Sequence, residues 1–266
     1  MYQRIVCLTT ETVEVLYALG EQDRIVGISG YTTRPAIARK EKPKVSAFTT
    51  AKIDKILALQ PDLVLGFSNL QADIAAALIK AGVEVHVFNQ RSVDEILRMI
   101  LTTGLLVGAL DKAQQLVNSL KLQIENAREA TKKMSRKPIV YFEEWDEPMM
   151  CSIRWAAELI AIAGGEDCFP ELITQHSAAN RIVTPAQVLA RMPDIMIGSW
   201  CGKKFQPETV ATREGWGAIP AVKNGFVREI KSADILQPGP AVFTHGLVQI
   251  LAIIHEWQQH QQKAQL

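Results

Sequence analysis

Apolar residues follow two rhythms along this chain. Short, nearly unbroken β-rich runs occupy residues 5–8, 24–28, 63–67 and 83–88. Between them, residues 11–19, 53–59 and 73–81 carry apolar positions three and four apart. The first rhythm suits strands buried on both faces, the second amphipathic helices. Thr9 or Thr10 is placed to cap the first helix, and Gly20 to end it. Gly82 ends the helix of residues 73–81, and residues 30–44 read as a polar, proline-bearing loop.

The middle of the chain has helical spacing only. Ser92 and Glu95 stand at capping-box distance. Ile96, Met99, Ile100, Thr103 and Val107 then share one face, weakened by Gly104 and Gly108. Asp111 can cap a second helix, whose stripe runs through Leu116, Val117, Leu120, Ile124 and Ala127. Nothing breaks that helix before Pro138, and its ~25 residues at ~1.5 Å each would reach nearly 40 Å. Lys132, Lys133, Arg136 and Lys137 crowd its C-terminal end, where cations suit the helix dipole.

After Pro138 the alternation restarts. Strands are expected at 139–142, 194–197 and 226–230, and helices at 155–163, 185–191 and 240–259. One internal match supports a duplication. Residues 56–66 align with 188–198 at a constant offset of 132, with Leu, Ala, Pro, Asp and Gly identical at five of eleven places. Each copy ends on a glycine at the C-terminal edge of a strand, followed by Phe67 in one and, one residue further on, Trp200 in the other. Open α/β sheets bind ligands at such edges. The expectation is an α/β protein of two lobes, each with a mainly parallel sheet flanked by helices, joined by one long helix. The lobes take residues 1–91 and 138–266, and the helical region takes 92–137.

Composition narrows the function. A chain of 266 residues, 48% hydrophobic, with a formal charge of +1 does not offer a broad nucleic-acid surface. No apolar run reaches the ~18–20 residues of a membrane span. Met1-Tyr2-Gln3-Arg4 leads straight into the first strand, without a signal-peptide apolar region and cleavage site. Two expectations follow: a cytoplasmic chain, or one from which a leader has been removed. Cys7, Cys151, Cys168 and Cys201 have no C-x-x-C spacing, which argues against zinc. Cys7 reads as a buried core thiol. Cys168 can pair with another cysteine, and the sequence leaves its partner open.

The order of several segments carries a resemblance. These are Arg4 to Thr9, Glu14 to Gly20, Asp23 to Ile28, Leu57 to Leu65 and Ile219-Pro220-Ala221-Val222-Lys223-Asn224-Gly225. The chain resembles the helical-backbone substrate-binding proteins of ABC importers, which carry vitamin B12, haem and iron-siderophores, and most of all their cobalamin-binding branch. The resemblance implies a periplasmic, monomeric binding protein with no catalytic cofactor, holding a corrinoid in a cleft between two lobes and closing by a few ångströms about a stiff spine. Carried over by position, the ligand would meet Thr10, Glu11, Tyr31, Phe48, Phe67 and Asn69 from the first lobe. From the second it would meet Trp145, Asp146, Arg154, Trp155, Trp200, Cys201, Lys203 and Gln237. The aromatics offer wide apolar area, Asn69, Gln237 and Thr49 answer amide or hydroxyl groups, and Arg154, Lys203 and Lys204 answer carboxylate or phosphate. Trp155 is equally readable as a core residue of its helix, and Lys203-Lys204 as a solvated loop. Two features depart from the family. No leader or lipoprotein cysteine precedes the first strand. Of the paired surface acids that dock on a permease, Asp73 fills the first place but Ala186 holds the second. A cytoplasmic corrinoid, tetrapyrrole or chelate binder, or a small α/β enzyme that docks on no permease, is therefore the alternative.

Enzyme readings are weaker. A nucleophilic Cys201 needs a base, and among His86, His176, His245, His255 and His260 only His176 lies in a suitable polar loop. Glu143, Glu144, Asp146 and Glu147 can serve acid–base or metal chemistry only in alternation, because neighbours on a strand face opposite ways. No Walker or Rossmann glycine spacing occurs.

Overall fold

The computed structural model describes residues 1–264. The chain separates into two compact units. The first holds Met1–Gln90, Asp94–Leu120 and Pro238–Pro240; the second holds Arg91–Val93, Lys121–Gln237 and the chain from Ala241 onward. Both are α/β.

The first unit is built on β1 (Ile5–Cys7), β2 (Ile25–Ser29), β3 (Lys44–Ser46), β4 (Leu63–Phe67) and β5 (Val85–Phe88), in the order β3-β2-β1-β4-β5. Every pair is parallel. From β1 the chain steps outward to β2 and β3, then returns to β4 on β1's other side. The turns leaving β1 and β4 therefore diverge at the centre of the sheet, where open α/β sheets hold ligands. Val6, Leu8 and Val64 pack with Ile56, Ile74 and Leu78 from the helices Ile53–Ala58 and Ala72–Lys80.

The second unit contains β6 (Ile139–Asp146), β7 (Met149–Cys151), β8 (Glu166–Asp167), β9 (Ile195–Gly198) and β10 (Val227–Glu229). The order is β10-β9-β6-β7, with β8 also on β6; only β6–β7 is antiparallel. Its core gathers Tyr141, Cys151, Cys168, Phe169, Val188, Met196, Phe205 and Trp216.

The repeated segment folds the same way twice. Gln60 and Met192 both adopt φ 48°, a left-handed turn residue ending each helix before Pro-Asp. Asp62 then accepts hydrogen bonds from the Gln3 and Arg4 amides at 2.6 and 2.9 Å. Asp194 accepts one from the Ile139 amide at 2.9 Å and bonds Arg136 at 2.9 Å. In each copy the aspartate caps the start of the strand beside it, satisfying amides the ladder leaves open.

The helical middle is two helices, Val93–Val107 and Leu110–Thr131, as the second cap near Asp111 predicts. They cross where Gly104 stands, since a Cβ there would lie 2.4 Å from that of Ala113. Several other expectations change. The second helix stops at Thr131, not Pro138, and the basic run follows it as turn and coil. β6 extends to Asp146, so Glu144-Trp145-Asp146 are strand residues, and β7 pairs back on them. A short helix, Ala38–Glu41, interrupts the 30–44 loop. The last helix begins with a π-helical stretch, Val242–Leu247, before Val248–Ala264. Thr9 stands at the N-cap of Thr10–Ala18 but its hydroxyl makes no capping bond.

Candidate ligand-binding site

In the second unit the C-terminal ends of β6 and β9 lie side by side, with Glu143 opposite Gly198. The Ser199 amide continues the ladder to the Glu143 carbonyl at 2.9 Å. Gly198 has no room for a side chain: a Cβ would fall 1.9 Å from the Phe205 ring. That ring packs edge-on against Trp200, centroids 4.9 Å apart. The glycine thus lets an aromatic pair lie across the strand end.

Below this pair is a buried ionic knot. The Glu143 side chain is fully buried and accepts two hydrogen bonds from Arg213, at 2.6 and 2.9 Å. It also accepts the Trp200 indole N–H at 3.0 Å and the Tyr141 hydroxyl at 3.0 Å. Arg213 stacks on Trp216, 4.6 Å from the ring centroid. Burial works against its charge, but the bonded Glu143 carboxylate more than offsets this and raises its proton affinity above the ordinary value. Burial, with the neighbouring Glu143, pushes the Tyr141 hydroxyl well above its usual range.

Above it, Lys203 Nζ sits 4.8 Å from the centroids of both Trp145 and Trp200 and 2.7 Å from Asp146 Oδ2. Trp145 is fixed by its indole N–H, which donates to the Glu147 carbonyl at 2.8 Å. Arg181, itself buried, bonds Glu144 at 2.5 Å and the Cys151 carbonyl at 2.6 Å. The structure therefore brings Trp145, Asp146, Trp200 and Lys203 together. Cys201 is exposed beside them, with its thiol shifted up by partial burial and by Glu144.

In the first unit the residues after β1 and β4 are organised by one side chain. Gln71 accepts the Phe67 amide at 2.9 Å and donates to the carbonyls of Phe48 at 2.8 Å and Leu8 at 3.4 Å. It is wholly buried, and Gly66 admits it: a Cβ there would stand 3.0 Å from its Oε1. The Thr10 hydroxyl donates to the Tyr31 carbonyl at 3.1 Å, and Tyr31 is 62% exposed. Asn69 is exposed and Phe48 half-buried. Glu11 is buried, and desolvation lifts its carboxyl to about 7 against the pull of its hydrogen bonds.

Trp155 faces inward instead, and Arg154 is paired along its own helix. Trp155 is 2% exposed and its indole N–H donates to the Ile235 carbonyl at 2.7 Å, so it is a core residue of its helix. Arg154 pairs with Glu158 at 2.8 Å, one turn along the same helix. Gln237 is half-buried. Glu143 is neither a rim residue nor a general acid, because Arg213 and the indole consume its oxygens. Nothing in the sequence pattern points to Arg213, seventy positions away, or to Gln71; a neutral amide four residues past a strand's Gly-Phe is the local trace of the latter. Among the described residues no group of three or more His, Cys, Asp or Glu is placed to hold a metal ion, and no helix is long and apolar enough to cross a membrane. Asp73 is exposed in the first turn of Ala72–Lys80, and Ala186 is exposed in Pro185–Arg191.

The chain is similar to known proteins. Residues 5–233 match the family described as periplasmic binding protein. The chain is 27% identical over 251 residues to an ABC transporter substrate-binding lipoprotein, YvrC, of Bacillus subtilis (strain 168), covering 90% of this chain and 76% of that one. It is 25% identical over 240 residues to the vitamin B12-binding protein of Vibrio campbellii (strain ATCC BAA-1116), covering 89% and 84%. The periplasmic heme-binding protein RhuT of Roseiflexus sp. RS-1, in its apo form, superposes with a TM-score of 0.82 at 20% identity over 97% of this chain and 100% of its own. The chain belongs to the periplasmic binding protein family and is a non-enzymatic solute-binding protein.

Proposed function

We propose that this protein is the substrate-binding component of an ABC importer, and that its ligand is a corrinoid such as cobalamin. The carrying observation is the charge pattern at the β6–β9 edge. Arg213, Arg181 and Lys203 are matched there by Glu143, Glu144 and Asp146. An edge whose cations are already neutralised favours a bulky ligand with amide and hydroxyl groups over one that must place free carboxylates. At this edge Trp145 supplies flat apolar area for a macrocycle, backed by the buried Trp200. The likeness to vitamin B12-binding relatives supports the same choice. Asp73 is the proposed contact with a permease, and its missing counterpart at Ala186 predicts a weaker docking on the second-lobe side. A periplasmic location goes with this reading.

Tryptophan fluorescence during titration with cyanocobalamin and cobinamide tests it, beside haemin and a ferric hydroxamate. Saturable quenching by a corrinoid at micromolar concentration or tighter, about −8 kcal/mol, is expected. Saturation by haemin with none by either corrinoid would overturn the corrinoid assignment while keeping the transport one.

A further inference from the structure

The thiols of Cys151 and Cys168 take no part in the site described above, yet the sheet sets them beside each other. β9 occupies one edge of β6, so β7 and β8 share the other. Cys151 stands opposite Glu143 in the β6–β7 ladder. β8 pairs Asp167 with Val140, and the next amide, Cys168 N–H, donates to the Val140 carbonyl at 2.9 Å, which puts Cys168 alongside Tyr141. The two cysteines are thus two positions apart along one edge, about 6.6 Å at about 3.3 Å per residue. That separation lies at the upper end of what a disulfide spans, about 4.4–6.8 Å between Cα atoms.

Side-chain direction agrees. The hydroxyl of Ser152 hydrogen-bonds the carboxylate of Asp167. Extended neighbours point to opposite faces, so Cys151 and Cys168 turn together to the other face. Both are buried there in one cluster with Tyr141 and Phe169.

We propose that Cys151 and Cys168, free thiols in this structure, are a disulfide-forming pair that staples the β7 hairpin to β8 across the edge of β6. The oxidant is a disulfide-bearing thiol exchanger such as oxidised glutathione. One cysteine thiolate attacks its S–S bond and expels a thiolate; the second then attacks the mixed disulfide and expels the other. Two protons leave the protein, and the oxidant is reduced to two thiols. Burial pushes both side chains up to about 12, so thiolate is scarce once the lobe is closed. The bond therefore forms during folding rather than after it.

The unmodified chain should be denatured, reduced, and refolded in a glutathione redox buffer, then denatured without reductant, alkylated and digested. The expected result is a mass about 2 Da below that of the reduced chain before alkylation. A Cys151–Cys168 linked peptide should appear, with Cys7 and Cys201 alkylated. Adding reductant should then lower the melting temperature of the second unit by roughly 5–10 °C, as closure of a short loop predicts. Alkylation of all four cysteines, or linkage of Cys168 to Cys201, would overturn the proposal. Cys168→Ala gives the cross-check: its melting temperature should not respond to reductant.

Discussion

Arg213 grips both oxygens of Glu143, at 2.6 and 2.9 Å, and the carboxylate it holds has no exposure to solvent. The pair also anchors the buried Trp200, because the same carboxylate takes the Trp200 indole N–H. Breaking one partner leaves a buried charge uncompensated. Arg213→Ala should destabilise the second unit by about 3–5 kcal/mol. Glu143→Gln with Arg213→Met should recover much of that loss, since both charges then go. Urea unfolding followed by tryptophan emission separates the cases; an unchanged midpoint for Arg213→Ala would remove the knot from the account.

Gly198 is a packing requirement rather than a turn. Gly198→Ala drives a methyl into the Phe205 ring, with a cost of about 1–3 kcal/mol and a displaced Trp200. Phe205→Leu in the same chain should relieve part of it. Near-ultraviolet circular dichroism reports the Trp200 environment directly, and Gly198→Ala with a native spectrum and midpoint would refute the close approach.

Glu11 gives a pH dependence with a definite sign. Burial raises its carboxyl from 4.5 to about 7 in the folded chain. Between those values the folded protein keeps a proton that the unfolded chain has released, so stability falls as pH rises through this window and levels off above it. At about 1.4 kcal/mol per tenfold change in proton affinity, the loss at pH 8 is about 3 kcal/mol. Glu11→Gln should flatten this slope and be the more stable protein at pH 8 but not at pH 4. Parallel slopes for the two proteins in the first-unit transition would show that Glu11 ionises normally.

Ligand binding should be nearly indifferent to salt. With Lys203 held by Asp146, that cation is already neutralised, so corrinoid affinity should change less than about twofold between 0.05 and 0.5 M NaCl. Trp145→Ala should weaken it tenfold or more through lost aromatic area, by about 1.4 kcal/mol or above. A steep fall in affinity with salt would point to an anionic ligand instead.

Much of this protein follows from its sequence. The alternation of apolar runs with helical spacing determined two units with mainly parallel sheets, because a strand buried on both faces and a helix buried on one leave different periods. The Pro-Asp repeat determined where strands β4 and β9 begin, and the structure shows why: a left-handed residue, a proline and a capping aspartate form a local device that needs no distant partner. The strand-end aromatics Phe67 and Trp200 were legible for the same reason. Tertiary structure alone decided which side chains meet. Trp155 and Trp145 look alike in sequence, but one is spent on Ile235 in the core and the other stands over Lys203. Glu143 reads as one acid in an acidic run until a guanidinium from far along the chain closes on it. Gln71 reads as an ordinary amide until three backbone segments converge on its two ends. Periodicity records which face of an element is buried; it carries no record of which partner does the burying, and at this site the partners set both the charge and the shape.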